Sequence, residues 1–158
     1  MVTASVGEWV LLSYRLPRDP STPRIGVWRK LQRLGVAQLS DGLVALPLDA
    51  RAREQLEWIA DEVVGHGGEA TIWVGSPASA SDERAIATRM ASAISTQYEA
   101  VIAEADQAEL LDESARRRRL ARLRRELRRI RSRDYFPTAD RETATKAVDG
   151  LARATESV

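Results

Sequence analysis

Eleven of the 24 basic residues of the chain lie in one stretch, residues 116–133, beside a single acidic residue, Glu126. These side chains give the stretch a charge of +10, whereas the whole chain of 158 residues has a net charge of +1. Four aliphatic residues recur within it at spacings of three, four and three: Leu120, Leu123, Leu127 and Ile130. That spacing places them along one face of a helix and the arginines around the rest of it. The stretch therefore predicts a docked helix whose remaining charge needs an acidic partner, in this chain or in a nucleic acid.

The segment before this stretch has the opposite charge. Residues 80–134 contain no glycine and no proline, which predicts helix, and residues 81–113 hold two basic and eight acidic side chains. The apolar stripe of residues 81–113 is one residue out of phase with the stripe of the basic helix. Asp112 or Ser114 is a suitable N-cap for a new helix. We expect a turn near residues 112–116 and an antiparallel acidic and basic helix pair, with a single bent helix as the alternative.

Residues 1–76 predict a ferredoxin-like domain in the order β-α-β-β-α-β. The elements are, in chain order, a strand at 8–16, a helix between Thr22 and Gly35, a hairpin at 36–48, a helix between Asp49 and Gly65, and a strand at 69–74. Asp41-Gly42 predicts a type I′ turn in the hairpin. Crossover handedness makes the first and third strands central neighbours, with both helices on one sheet face. The predicted fold class is therefore α+β, with a helical extension at 77–158 made of two long helices and a short C-terminal helix.

The four tryptophans differ in their expected burial. Trp28 lies on the predicted apolar stripe of the first helix, whose members are Ile25, Trp28, Leu31 and Leu34. Trp9 and Trp73 lie in strands that we expect to be buried. Trp58 falls off the main stripe of the second helix, so it could serve a partner surface or pack over the sheet edge.

Several function classes lack their sequence signatures. The chain has no cysteine and one histidine, His66, which argues against a transition-metal site or disulfides. It has no phosphate-binding loop, no dinucleotide-binding glycine pattern and no nucleophile elbow. Neither a secretion signal nor an apolar run long enough to span a bilayer is present. We therefore expect a cytoplasmic, non-enzymatic protein without a cofactor or a metal.

Five motifs resemble the N-terminal domain of the bacterial chromate-resistance regulator family ChrB. They are WVLLSYRLPRDPSTPRIGVWRKLQRLG (9–35), DGLVALP (41–47), EQLEWIADEV (54–63), GGEATIWVG (67–75) and RSRDYFP (131–137). Family members look like transcriptional repressors that bind promoter DNA upstream of chromate-efflux genes and release it when chromate is present. The resemblance implies double-stranded DNA as a partner, and an oxyanion such as chromate or sulfate as an effector. The chain ends about where the sensing domain would begin, so we expect a stand-alone or truncated form.

Candidate DNA contacts lie in two basic segments. Residues 1–35 hold six basic and two acidic side chains, and the N-terminus of the first helix adds affinity for phosphate. The predicted contacts are Arg18, Arg24, Arg29, Lys30, Arg33, Arg116, Arg117, Arg118, Arg119, Arg122 and Arg125. The alternative is an interaction or structural module, in which the basic helix pairs with residues 81–113 or with a partner protein. Homodimers are common among soluble proteins, and we expect one here.

Overall fold

The computed structural model describes residues 7–156. The elements are β1 (Trp9–Arg15), α1 (Thr22–Leu34), β2 (Ala37–Ser40), β3 (Leu43–Pro47), α2 (Ala50–Gly65), β4 (Glu69–Gly75), α3 (Ala80–Ala108), α4 (Glu113–Ser132) and α5 (Ala139–Glu156). They divide into two compact units, one ending at Arg89 and the other beginning at Met90. Among residues 7–156, no helix combines the length and the apolar composition needed to cross a membrane.

The first unit is built on a four-stranded antiparallel sheet with the order β2-β3-β1-β4. The central strands β1 and β3 pair Val10 with Leu46 and Leu12 with Val44, and all four side chains are fully buried. Burial alternates from Val10 to Ser13, because successive side chains point to opposite faces of a strand. This arrangement confirms the predicted ferredoxin-like α+β fold, with the first and third strands in the centre of the sheet.

Helix α1 buries a different face from the predicted one. Val27 and Leu31 are fully buried, whereas Ile25 is 50% exposed and Trp28 is only half-buried. Three residues turn an α-helix by about 300°, so a stripe with a spacing of three drifts around the helix by about 60° at each step. The predicted stripe from Ile25 to Leu34 therefore ends on the opposite side from where it starts. The end of the helix is as predicted, because Gly35 has a φ of 77° and caps it.

The hairpin forms at the predicted position, but its turn differs from the type I′ prediction. Gly42 has a φ of 74°, whereas none of the described residues other than glycine has a positive φ, so Asp41 does not. The pairing of β2 with β3 shifts register between Gln38 and Ser40. A hairpin with such a bulge commonly uses a turn with one left-handed residue, usually glycine, in place of type I′. Glycine is needed at position 42, because a Cβ there would overlap the carbonyl oxygen of Tyr14.

The tryptophans of β1 and β4 have different surroundings. Trp9 is 3% exposed, as predicted for a core residue. Trp73 is 56% exposed, so its predicted burial is wrong. It lies in the edge strand β4, paired with Leu11, on the sheet face that points away from the buried Val10 and Leu12. Alternation within β4 places Trp73 on the same face as the polar Glu69 and Thr71, and the prediction of burial did not use this signal.

The second unit is a helical hairpin completed by α5. Helix α3 ends at Ala108 and α4 begins at Glu113, so the single bent helix is excluded and the turn lies slightly earlier than predicted. The carboxylate of Asp112 caps α4 by accepting a hydrogen bond from the Ala115 N–H at 2.8 Å. A capping carboxylate satisfies one of the N–H groups that have no partner within the helix.

The core of this unit contains all four predicted aliphatic residues of α4. They pack with buried residues of α3 and α5: Ile94, Tyr98, Val101, Ala105, Ala108, Ala144, Val148, Leu151 and Ala152. Helix α5 has 18 residues, so the prediction of a short C-terminal helix is wrong. Its buried stripe continues as far as Thr155, which keeps the end of the helix packed.

Candidate nucleic-acid interface

The arginines of α4 differ according to their position around the helix. The stripe from Leu120 to Ile130 is buried, which fixes the rotation of the helix about its axis. Two residues turn an α-helix by about 200°, so Arg125 lies nearly opposite both Leu123 and Leu127. Side chains on that outer side are exposed, whereas those on the flanks can reach α3 or α5.

Arg116 points inward and has a structural environment. One of its guanidinium nitrogens donates to the Leu111 carbonyl at 2.9 Å and the other to the Ala154 carbonyl at 3.3 Å. Its Nε is buried and has no hydrogen-bond partner among residues 7–156. Arg116 thus links the start of α4 to the preceding turn and to the end of α5, which leaves its guanidinium little capacity for an outside ligand.

Two arginines face α3. Arg122 forms an ion pair with Glu104, which is the only ion pair between α3 and α4 in the described part of the chain. Just beyond the end of α4, Arg133 donates from Nε to the Gln97 side-chain oxygen at 2.8 Å and lies 3.6 Å from the Glu126 carboxylate. The acidic helix therefore neutralises little of the basic one by direct pairing.

A third group of arginines interacts only within its own helix. Arg117 pairs with Glu113, Arg118 donates to the Ser114 hydroxyl at 2.8 Å, and Arg129 lies 3.8 Å from the Glu126 carboxylate. All three side chains are exposed. Exposed pairs of this kind contribute about 0–1 kcal/mol. These guanidinium groups can therefore exchange their present partners for an external anion at little cost.

Four exposed arginines of α4 have no internal partner in the described part of the chain. Arg124, Arg125, Arg128 and Arg131 are exposed, and none has an ion pair or hydrogen bond among the residues that the structure describes. Arg125, Arg128, Arg129 and Ser132 border an open groove of about 350 Å³. We call Arg125, Arg128 and Arg129 the outer arginine face. Arg131 instead lies on the flank toward α5, where it borders a second groove with Thr138, Arg141 and Thr145.

The predicted contacts in the first unit lie on α1 and the loop before it. Arg18, Arg24, Arg29 and Arg33 are exposed. Lys30 is engaged, because its ammonium donates to both carboxylate oxygens of Glu62 at 2.8 Å.

Three predicted contacts on α4 are not freely exposed, and four exposed arginines of α4 were not predicted. Arg119 is half-buried on a flank, whereas Arg116 and Arg122 are engaged by internal partners. Arg124, Arg128, Arg129 and Arg131 were not predicted, because the prediction rested on the density of arginines in the first half of the helix. Stepping three and four residues from Arg125 along the face opposite the leucines would have found two of the outer arginines, Arg128 and Arg129.

The end of α4 is held by a hydrogen bond from α3. The fully buried Tyr98 donates its hydroxyl to the Asp134 carboxylate at 2.8 Å. Burial raises the pKa of Tyr98 above its ordinary value of 10.0, and the hydrogen bond and negative charge of Asp134 raise it further. The phenol therefore keeps its proton, and its hydrogen bond, at pH values where a free tyrosine loses it.

We expect Tyr98→Phe to lower the stability of the protein by about 1–2 kcal/mol at neutral pH. Because the pKa of Tyr98 is higher in the folded chain, the contribution of its phenol is complete below pH 10 and decreases as the pH rises above it. Urea unfolding at several pH values from 7 upward tests this. The wild type should lose stability more steeply than the variant above pH 10, and parallel pH profiles would contradict the assignment.

Within the described range, no group of three or more histidine, cysteine, aspartate or glutamate side chains is arranged to hold a metal ion. The chemistry that these surfaces offer is the binding of anions by guanidinium groups, which suits phosphate and carboxylate alike.

Comparison with known proteins identifies the family of this sequence. A family model described as "Protein ChrB, N-terminal" matches residues 24–158. Protein ChrB of Cupriavidus metallidurans is 31% identical to the chain over 140 residues, which cover 82% of this chain and 40% of that protein. The chain thus spans well under half the length of this curated relative. No solved structure matches it.

Proposed function

This chain belongs to the ChrB N-terminal family, and we propose that it is a DNA-binding transcriptional regulator of chromate-resistance genes. The observation that carries the proposal is the outer arginine face of α4. Its guanidinium groups are exposed, and those of Arg125 and Arg128 have no internal ion pair or hydrogen bond among residues 7–156. Each guanidinium group can donate two parallel hydrogen bonds to two oxygens of one phosphate.

The packing of α4 supports this role because it orients the arginines before DNA arrives. The opposite side of the helix is buried from Leu120 to Ile130, so the outer face cannot rotate away. A helix of 20 residues is about 30 Å long, and this length spans several phosphates along a DNA duplex. Phosphate contacts of this kind provide affinity and position, whereas sequence preference requires contacts to base edges.

The proposal includes a second basic surface on α1. Arg24, Arg29 and Arg33 are exposed there, and Arg18 precedes them in the loop. Lys30 contributes less in this proposal because Glu62 already neutralises it. We further propose that the regulator is a homodimer, which would present each basic surface twice.

An oxyanion effector could bind the same guanidinium groups that we propose for phosphate. The groove between Arg125, Arg128 and Arg129 also has the hydroxyl of Ser132 at its border. A tetrahedral dianion such as chromate or sulfate presents charged oxygens like those of a phosphate, so it would compete with DNA for these groups. The proposed activity is reversible binding and requires no catalysis.

The interaction-module alternative has weaker support. It requires the acidic helix to neutralise the basic one, yet only Arg122 forms an ion pair with α3 in the described part of the chain. An acidic partner protein would use the same outer arginine face that we propose for DNA, so the two would compete for it.

Titration of a fluorescent duplex from the upstream region, followed by anisotropy, tests the proposal. With about five phosphates neutralised, the slope of log K against log salt should be about −4.5. Raising the salt from about 50 to 200 mM should then weaken binding by more than about 100-fold. Absence of binding to any duplex at low salt would exclude the function, and added chromate should weaken binding more than chloride of equal ionic strength.

We expect Glu104→Gln to strengthen DNA binding by about two- to fivefold, because the ion pair that holds Arg122 toward α3 is lost. The matched control is Glu99→Gln, an exposed residue of α3 that has no ion pair among residues 7–156. Both changes remove one negative charge, so the excess effect at position 104 measures the release of Arg122. Equal effects of the two substitutions in the anisotropy titration would show that Arg122 takes no part in binding.

A further inference from the structure

The sheet of the first unit has a cavity of about 690 Å³ against one of its faces. Side chains alternate along β1, so Val10 and Leu12 lie in the core while Leu11 and Ser13 point to the opposite face. That opposite face lines the cavity together with the segment before α3 and the first turns of α3. Its lining is mainly apolar and aromatic: Trp9, Leu11, Leu39, Leu43, Ala45, Trp73, Pro77 and Ile86.

Trp73 forms an exposed but oriented wall of this cavity. Its side chain is 56% exposed, yet its indole N–H donates to the Ser13 hydroxyl on the neighbouring strand at 2.9 Å. Trp58 on α2 is exposed to a similar degree but has no hydrogen bond among residues 7–156. An aromatic ring that is already held in one orientation loses little entropy when a ligand stacks on it.

The charges at the cavity are acidic. Asp82 lines it, and the lining contains no lysine or arginine among the described residues. The adjacent Glu83 is engaged, since it accepts hydrogen bonds from the Trp9 indole N–H at 2.9 Å and the Gly7 N–H at 2.8 Å. Negative charge here repels phosphates and other anions. The ligand that complements this site is therefore neutral or cationic, which distinguishes it from the anions proposed for α4.

We propose that this cavity binds a small planar aromatic molecule, neutral or cationic, that stacks on Trp73 and directs a hydrogen-bond donor toward Asp82. The cavity volume lies within the range of about 300–1,000 Å³ that is typical of small-molecule sites, and such sites combine apolar walls with a few polar groups. The Ser13 hydroxyl accepts from Trp73 and keeps its own proton for a ligand acceptor. This site is independent of DNA binding.

The neutral probe N-phenyl-1-naphthylamine suits a test, because it is aromatic, has one N–H donor and fluoresces more strongly in apolar surroundings. We expect it to bind the wild-type protein, and Trp73→Ala to weaken its binding about tenfold. Trp58→Ala is the matched control and should leave the affinity unchanged. The anionic 1-anilinonaphthalene-8-sulfonate should bind less tightly than the neutral probe, and Asp82→Asn should reduce that difference.

A second variant, Leu43→Glu, places a charge in the cavity lining and should also remove probe binding. It tests the proposal independently if the Trp73→Ala protein folds poorly. Folding of each variant is checked by circular dichroism. Equal probe affinities of the Trp73→Ala and Trp58→Ala proteins, or no binding by the wild type, would overturn the proposal. Conversion of a dimer into a monomer by Trp73→Ala, seen by analytical ultracentrifugation, would also overturn it, since a second copy would then occupy this face.

Discussion

Replacing both Arg125 and Arg128 by alanine should weaken binding to duplex DNA by about one to two orders of magnitude at low salt. Both side chains are exposed on the outer arginine face, and neither has an ion pair or hydrogen bond among residues 7–156. Each lost phosphate contact lowers the magnitude of the salt slope by about 0.9, so the double variant should lose about 1.8 from it. Anisotropy titrations of one duplex at several salt concentrations give both quantities.

The matched control for this experiment is the replacement of Arg51 and Arg53 by alanine. These two arginines are exposed in the first turns of α2, so the control removes the same charge from a different surface. We expect only a small change in affinity and an unchanged salt slope. If the two double variants lost equal affinity and equal slope, binding would follow net charge alone, which would contradict an interface on α4.

The overall orientation of α4 could be predicted from the sequence because its aliphatic spacing alternates between three and four residues. This alternation keeps the stripe on one side of a helix with 3.6 residues per turn. The role of each arginine could not be predicted from the sequence, because it depends on where the helix begins and on which residues lie beside it. Arg116 was predicted at the start of the basic stretch as a DNA contact. The helix begins at Glu113, which brings Arg116 back to the Leu111 carbonyl.

The strand order of the first unit could be predicted because its boundaries have local signals. Gly35 ends α1, Gly42 allows the hairpin turn, and Asp49 caps α2 by accepting from the Ala52 N–H. The burial of side chains on the outer sides of the strands and helices could not be predicted in the same way, because it depends on residues far away in the sequence. Trp73 is 56% exposed and borders a cavity whose other walls come from β1, β3 and the start of α3.

The largest loss of stability is expected from Leu123→Ala. Leu123 is 1% exposed and packs in the core that α3, α4 and α5 form. Truncation of a buried leucine removes apolar contacts and leaves a cavity, so we expect a loss of about 3 kcal/mol in the free energy of unfolding. The matched control is Leu110→Ala in the turn after α3, where the side chain is 90% exposed and the change should stay within about 0.5 kcal/mol.

Urea unfolding followed by circular dichroism at 222 nm separates this stability effect from binding. The midpoint of Leu123→Ala should fall while the slope with urea stays the same. Its DNA affinity, measured well below the midpoint, should stay close to that of the wild type, because the outer arginines are unchanged. Arg125 lies two residues after Leu123, about 200° around the helix, and so on the exposed side. The double variant with Arg125→Ala and Arg128→Ala should therefore show the reverse pattern, with unchanged stability and weakened DNA binding. A weakened affinity of folded Leu123→Ala would mean that phosphate contact depends on the rigid docking of α4 as well as on its charge.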